Sequence, residues 1–174
     1  MNPVPAAMPA IQPETPAMDM TAIKAGTTLT LSRTFAAPRE LVFRMWTDAR
    51  HLKQWWGPAG SDNGETRFDA RPGGEIYIEM RGPGFDNPLA GHVEEIDPPR
   101  RLVFLSTALQ NPDGSWQFIT RNTVTFEAVA GGRTKVTLQF VVQQPPAQAV
   151  IPVGGVEMGW SGSFDRLAAH LAAL

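Results

Sequence analysis

The segment PVGGVEMGWSGSFDRLAAHLAAL (Pro152–Leu174) decides the fold. Within it Val153, Val156, Trp160, Phe164, Leu167 and Leu171 recur at helical spacing and fall on one stripe about 80° wide. A long helix with one apolar stripe needs an apolar surface to lie on, and the preceding sequence supplies it. Glu65–Asp69, Gly74–Arg81, Gly91–Asp97, Arg101–Ala108, Gln117–Ala130 and Arg133–Val142 read as strands. Turn signals separate them: Arg71-Pro72-Gly73-Gly74, Asp97-Pro98-Pro99, Asn111-Pro112-Asp113-Gly114 and Gly131-Gly132, the last read as a two-residue hairpin loop. An antiparallel sheet with one apolar face must be covered, and this helix is the only long amphipathic element on offer.

Further toward the N-terminus, Thr27–Phe35 alternates as another strand. Pro38 sits near a helix start, with Glu40 in the first turn and Leu41, Val42, Met45 and Trp46 at helical spacing. Asp48 reads as the N-cap of a second short helix carrying Leu52, Trp55 and Trp56, ended by Gly57-Pro58. The predicted class is therefore α+β. A curved antiparallel sheet of six to seven strands wraps a long C-terminal helix, with two short helices after strand one. The rival, an immunoglobulin-like sandwich, is opposed by the three helical patterns. Residues 1–26, rich in Pro, Ala and Met, are expected to be a flexible tail or a strap on the domain, and residues 27–174 one domain.

The net charge is −2, with basic residues scattered, so no electrostatic grip on nucleic acid is expected. The absence of cysteine excludes disulfides, thiol catalysis and cysteine-ligated zinc, and it fits a cytoplasmic location. His51, His92 and His170 have no metal-ligand spacing, and no cofactor is implied. No apolar run approaches a membrane span, and the N-terminus does not read as a signal peptide. Nucleophile-elbow, Walker A and HExxH motifs are absent.

The runs RPGGEIYIEMRGPG (Arg71–Gly84), EEIDPPRRLVF (Glu94–Phe104), TVTFEA (Thr123–Ala128) and GGRTKVTL (Gly131–Leu138), with KQWWGP (Lys53–Pro58) before them and Gly159-Trp160 and FDRLAAHL (Phe164–Leu171) after, form a set. That set, over roughly Leu29 to Leu174, resembles the bacterial family named after the C-terminal domain of the heat-shock-protein-90 ATPase activator. The resemblance implies the helix-grip superfamily of lipid-transfer and birch-pollen-allergen-like domains, which enclose a cavity between sheet and C-terminal helix. It also implies three functional readings. The first is binding of a small hydrophobic or amphipathic ligand, in a stress-related or regulatory setting. The second is an enzyme of the cyclase- or hydrolase-like branch, which makes catalysis an open question. The third is a chaperone-partner module.

Candidate ligand-binding residues follow from which face each element turns inward. Trp55 and Trp56 stand at the expected cavity mouth, and either also suits the core. Ile76, Ile78 and Met80 share the apolar face of one strand, and Phe104 joins them from another. Trp160 and Phe164 lie on the helix stripe, with Glu157 beside it, either in water or inside as an anchor for a ligand's polar end. On a strand, His92 or Glu95 is turned inward or left in water, and Arg121-Asn122 either caps the pocket or ends a strand. Gly154, Gly155, Gly159 and Gly162 point to close backbone approach to the sheet, to a deformable gate, or to a helix that starts only near Val156. Monomer and homodimer are both admitted, with the dimer favoured as a way to bury the tail methionines.

Overall fold

Seven strands form one antiparallel sheet in the computed structural model of the protein, which describes residues 17–174. In chain order the elements are β1 (Thr28–Phe35), α1 (Arg39–Thr47), α2 (Ala49–Trp55), β2 (Asp62–Phe68), β3 (Glu75–Gly82), β4 (Phe85–Asp97), β5 (Arg101–Gln110), β6 (Trp116–Val129), β7 (Arg133–Gln144) and α3 (Val153–Ala172). The sheet order is β1-β7-β6-β5-β4-β3-β2. Every connection from β2 to β7 is therefore a hairpin, and only the α1–α2 excursion separates the two edge strands, β1 and β2.

Two local features differ from the sequence reading. β4 begins at Phe85 rather than Gly91, because Gly82 pairs with Phe85 across a Pro83-Gly84 turn and the strand runs on through Pro88. Pro88 is tolerated because β4 meets β5 only from Ala90 onward, so at Pro88 it is paired on one side. The β6–β7 loop holds three residues, not two, since Val129 pairs with Arg133 and both Gly131 and Gly132 take positive φ. As the stripe over Pro152–Leu174 predicts, α3 starts at Val153, so all four glycines lie within it and the alternative start near Val156 is not taken.

The start of α3 has no side-chain cap. Its first N–H groups still need acceptors, and residues 17–26, expected within a flexible tail, supply them. The N–H of Val153 donates to the Thr21 carbonyl and that of Gly154 to the Asp19 carbonyl, each at 2.8 Å, while Ile23 N–H donates to Ile151 at 2.9 Å. Gly154 makes this approach feasible, because a Cβ there would meet the Met18 side chain and lie 2.7 Å from the Asp19 nitrogen. The close approach is thus to an N-terminal strap rather than to the sheet. The expectation for residues 1–16 lies outside the described residues.

The alternation of β3 behaves as its pattern requires. Ile76 and Ile78 are buried, while Glu75 and Glu79 pair with Arg67 and Arg81 on the outer face. The main core centres on Trp46 of α1, which meets Trp55 at 4.8 Å between ring centroids, Phe126 at 6.0 Å, Trp160 at 6.1 Å and Phe164 at 6.4 Å. A second, smaller cluster gathers Ile23, Leu29, Phe140 and Val142 near the strap. Trp160 packs against both clusters.

Candidate ligand-binding site

Between these two clusters, under α3, lies a cavity of about 190 Å³. That is below the few hundred cubic ångströms of a drug-sized pocket. It is somewhat larger than an engineered apolar cavity of ~150 Å³ known to take benzene. Helix α3 supplies Val156, Gly159, Trp160 and Ser163 as one wall. The sheet supplies Leu89, Ser106, Ala108, Phe118, Thr120 and Phe140 as the other, and Trp56, Gly57 and Pro58 close one end. None of these side chains carries a charge.

The closing loop is held by a residue the sequence reading did not single out. Arg166 of α3 donates through Nη1 to the carbonyls of Trp56 (2.5 Å) and Gly57 (3.1 Å), and through Nη2 to those of Gln54 (3.1 Å) and Ser61 (2.9 Å). Burial lowers its pKa from the usual arginine value. Asn63 adds to the clamp, its Nδ2 donating to Lys53 at 3.0 Å and to Trp56 at 2.9 Å. An arginine on the flank of an apolar helix stripe gives no sign of which carbonyls it will reach.

One polar patch interrupts the apolar wall. Ser106 Oγ and Thr120 Oγ1 lie 2.8 Å apart, and Asn122 Nδ2 donates to both, at 3.0 and 3.1 Å. All three residues are buried. The Phe104 carbonyl lies 3.5 Å from the same nitrogen, and Asn122 Oδ1 is left without a partner among the described residues. The alternation of β5 and β6 carried the signal for this patch: Ser106 shares a face with Phe104, and Thr120 and Asn122 share one with Val124, so polar groups stand where apolar ones alternate.

Of the residues singled out in the sequence, Trp56 and Trp160 line the cavity, their rings 5.1 Å apart. Trp55 is in the core, its indole N–H donating to the Met45 carbonyl at 3.0 Å. Ile76, Ile78, Phe104 and Phe164 are core residues and not part of the cavity lining, and Met80 packs half-buried against the same core. His92 is exposed, Glu95 pairs with Arg101 at 2.9 Å, and Glu94 pairs with Arg121 at 2.6 Å. The inward readings of His92 and Glu95 are thereby corrected: both lie on the outer face of the sheet, where charges stay hydrated. Glu157 is exposed in a groove beside Met18 and Met158, on a different face of α3 from the cavity-lining Val156 and Trp160, so it does not anchor a ligand inside. Arg121-Asn122 divides between the faces, Arg121 outward and Asn122 inward. Away from the cavity, His51 Nδ1 and His170 Nε2 lie 3.0 Å apart and join α2 to α3. Burial first, and the neighbouring His51 second, lower the His170 pKa. Among the described residues no group of three or more His, Cys, Asp and Glu is placed to hold a metal, and no helix is long and apolar enough to cross a membrane.

A family model described as "Activator of Hsp90 ATPase homolog 1-like protein" matches residues 36–172. Similar solved structures come from several bacteria. A Chromobacterium violaceum protein is 26% identical, with 82% of this chain and 94% of that one covered and a TM-score of 0.70. A Mycobacterium smegmatis protein is 27% identical, with coverage of 84% and 91% and a TM-score of 0.68. A Silicibacter pomeroyi protein described by the same family name is 25% identical, with coverage of 84% and 99% and a TM-score of 0.67. No curated protein matches the chain.

Proposed function

Given that the chain belongs to the activator of Hsp90 ATPase homolog 1-like family, we propose that it is a binding module for a small hydrophobic or amphipathic molecule held between α3 and the sheet. The observation that carries this reading is the pair Trp56 and Trp160, two indoles set at 78° to each other on the wall of an uncharged cavity. Such walls grip a flat apolar molecule by dispersion and edge-to-face contact. The lining holds no titratable side chain, which supports binding over acid–base chemistry at this place. Trp55, Ile76, Ile78, Met80, Phe104 and Phe164 serve the site as the packed layer behind the lining.

Titration with tetralin, a two-ring hydrocarbon, tests the reading. The indole N–H resonances of Trp56 and Trp160 should shift in a saturable way, and Trp160→Ala should weaken the titration at least tenfold. Unmoved indole resonances up to the solubility limit of tetralin would remove the proposal. A homodimer is proposed with it: Met18 and Met158 are exposed in one groove beside α3, with exposed Met20 close by in the strap, and a second copy would cover them. Sedimentation that finds only monomer at high concentration would refute the dimer.

A further inference from the structure

Ser106 and Thr120 place two neighbouring hydroxyls in the largely apolar cavity wall, 8% and 2% exposed. A hydroxyl carries one proton and two lone pairs. Asn122 donates to both oxygens, which occupies one lone pair on each. The hydrogen bond between the two hydroxyls consumes one of their two protons. The second proton finds no acceptor among the described residues. Ser163, the third hydroxyl on the lining, spends its own proton on the Gly159 carbonyl at 3.0 Å. The cavity therefore presents one unspent O–H donor, and a buried donor left unpaired carries the full cost of its lost hydration.

We propose that the ligand is a neutral molecule of one or two rings bearing an oxygen acceptor, such as a ketone, ester or ether, and that this oxygen takes the spare proton of the Ser106–Thr120 pair. The inference rests on the cavity being a binding site. Three observations shape it. A volume of about 190 Å³ admits a small ring system and no long acyl chain. The aromatic walls favour a flat skeleton. A carboxylate could also accept the proton, yet no lining residue carries a positive charge, and burying an unpaired anion is far costlier than burying a carbonyl.

The test compares 1-tetralone with tetralin, the same skeleton with and without the carbonyl, and with 1-naphthoate, by following the Trp56 and Trp160 indole resonances. A cavity without a donor would favour the hydrocarbon by roughly tenfold or more, because the ketone would shed its hydration for nothing. The expected result is that tetralone binds at least as tightly as tetralin and that naphthoate is the weakest at pH 7. In the double variant Ser106→Ala/Thr120→Val, the ratio of tetralone to tetralin affinity should fall about fivefold or more. Both residues must change, since either hydroxyl alone would keep a free proton. If the double variant does not fold, the wild-type comparison decides alone. Tighter binding of tetralin, or of naphthoate, overturns the neutral-acceptor inference and leaves the cavity reading standing. Binding of none of the three overturns both.

Discussion

Trp46 and Trp160 lie nearly parallel, their planes 13° apart and their centroids separated by 6.1 Å. One comes from the first short helix and the other from the last helix, so the stack joins the two ends of the fold beneath the sheet. Trp46 is 1% exposed and also meets Trp55 and Trp56. The indole on the cavity wall is thus held in place by an indole of the core.

Trp46→Ala should therefore cost about 3–5 kcal/mol, as for other large aromatic truncations in a core, measured by urea unfolding. Trp160→Phe should cost less, because Trp160 is only half-buried, while still weakening tetralin binding. Equal losses of stability would contradict the placement of Trp160 on the wall.

Arg166→Met keeps most of the apolar stem and removes the guanidinium donors to the loop after α2, leaving those of Asn63 in place. The variant should lose about 1–2 kcal/mol, since several carbonyls, most of them part-buried, lose a charged donor. Arg166→Lys should lie between it and the wild type, because an ammonium lacks the planar fork that spans those carbonyls. An Arg166→Met protein as stable as the wild type would show the clamp to be idle.

Two glycines of α3 should respond with opposite signs. Gly159→Ala meets open space and should stabilise by up to about 1 kcal/mol through helix propensity. Gly154→Ala gains the same propensity, but its Cβ would collide with Met18 and Asp19 and detach the strap that caps α3. A lower melting temperature and faster amide exchange at Val153 are expected. The prediction fails if both variants are stabilised alike.

The His51–His170 contact makes stability depend on pH. The His170 pKa is lowered from 6.5 in the folded chain, so protonation favours the unfolded state. Its contribution is complete above pH 6.5 and is lost as the pH falls through that value toward the folded pKa. Asp48, which caps α2, has its own pKa lowered to about 2, first by its bond to Arg50, and stays charged throughout this range. Melting temperatures between pH 8 and 5 should decline more steeply for the wild type than for His170→Gln. Parallel curves would assign the acid sensitivity elsewhere.

Much of the fold was legible because two periods write it locally. The alternation of Ile76, Ile78 and Met80 fixed the inner face of β3, and the spacing of Trp160, Phe164 and Leu167 fixed that of α3. Asp48 announced its cap, accepting from the Arg50 N–H at 3.0 Å. Less was legible at the site. Period alone sends both Trp55 and Trp56 inward, and it cannot say that the first bonds the Met45 carbonyl while the second faces a void. It placed Glu157 beside the apolar stripe and left open whether it turned inward, and the packing of α3 leaves that carboxylate exposed.

What the sequence determined alone, then, was the list of elements, their inner faces, the family and the lack of a metal-ligand or nucleophile motif. Each depends on residues close together along the chain or on their types. The tertiary structure decided which side chains border empty space, that Arg166 reaches the loop after α2, and that one hydroxyl proton of Ser106 and Thr120 goes unspent. These are sums over contacts between distant segments. A vacancy between α3 and the sheet is set by how several elements pack at once, and no single stretch of chain records it.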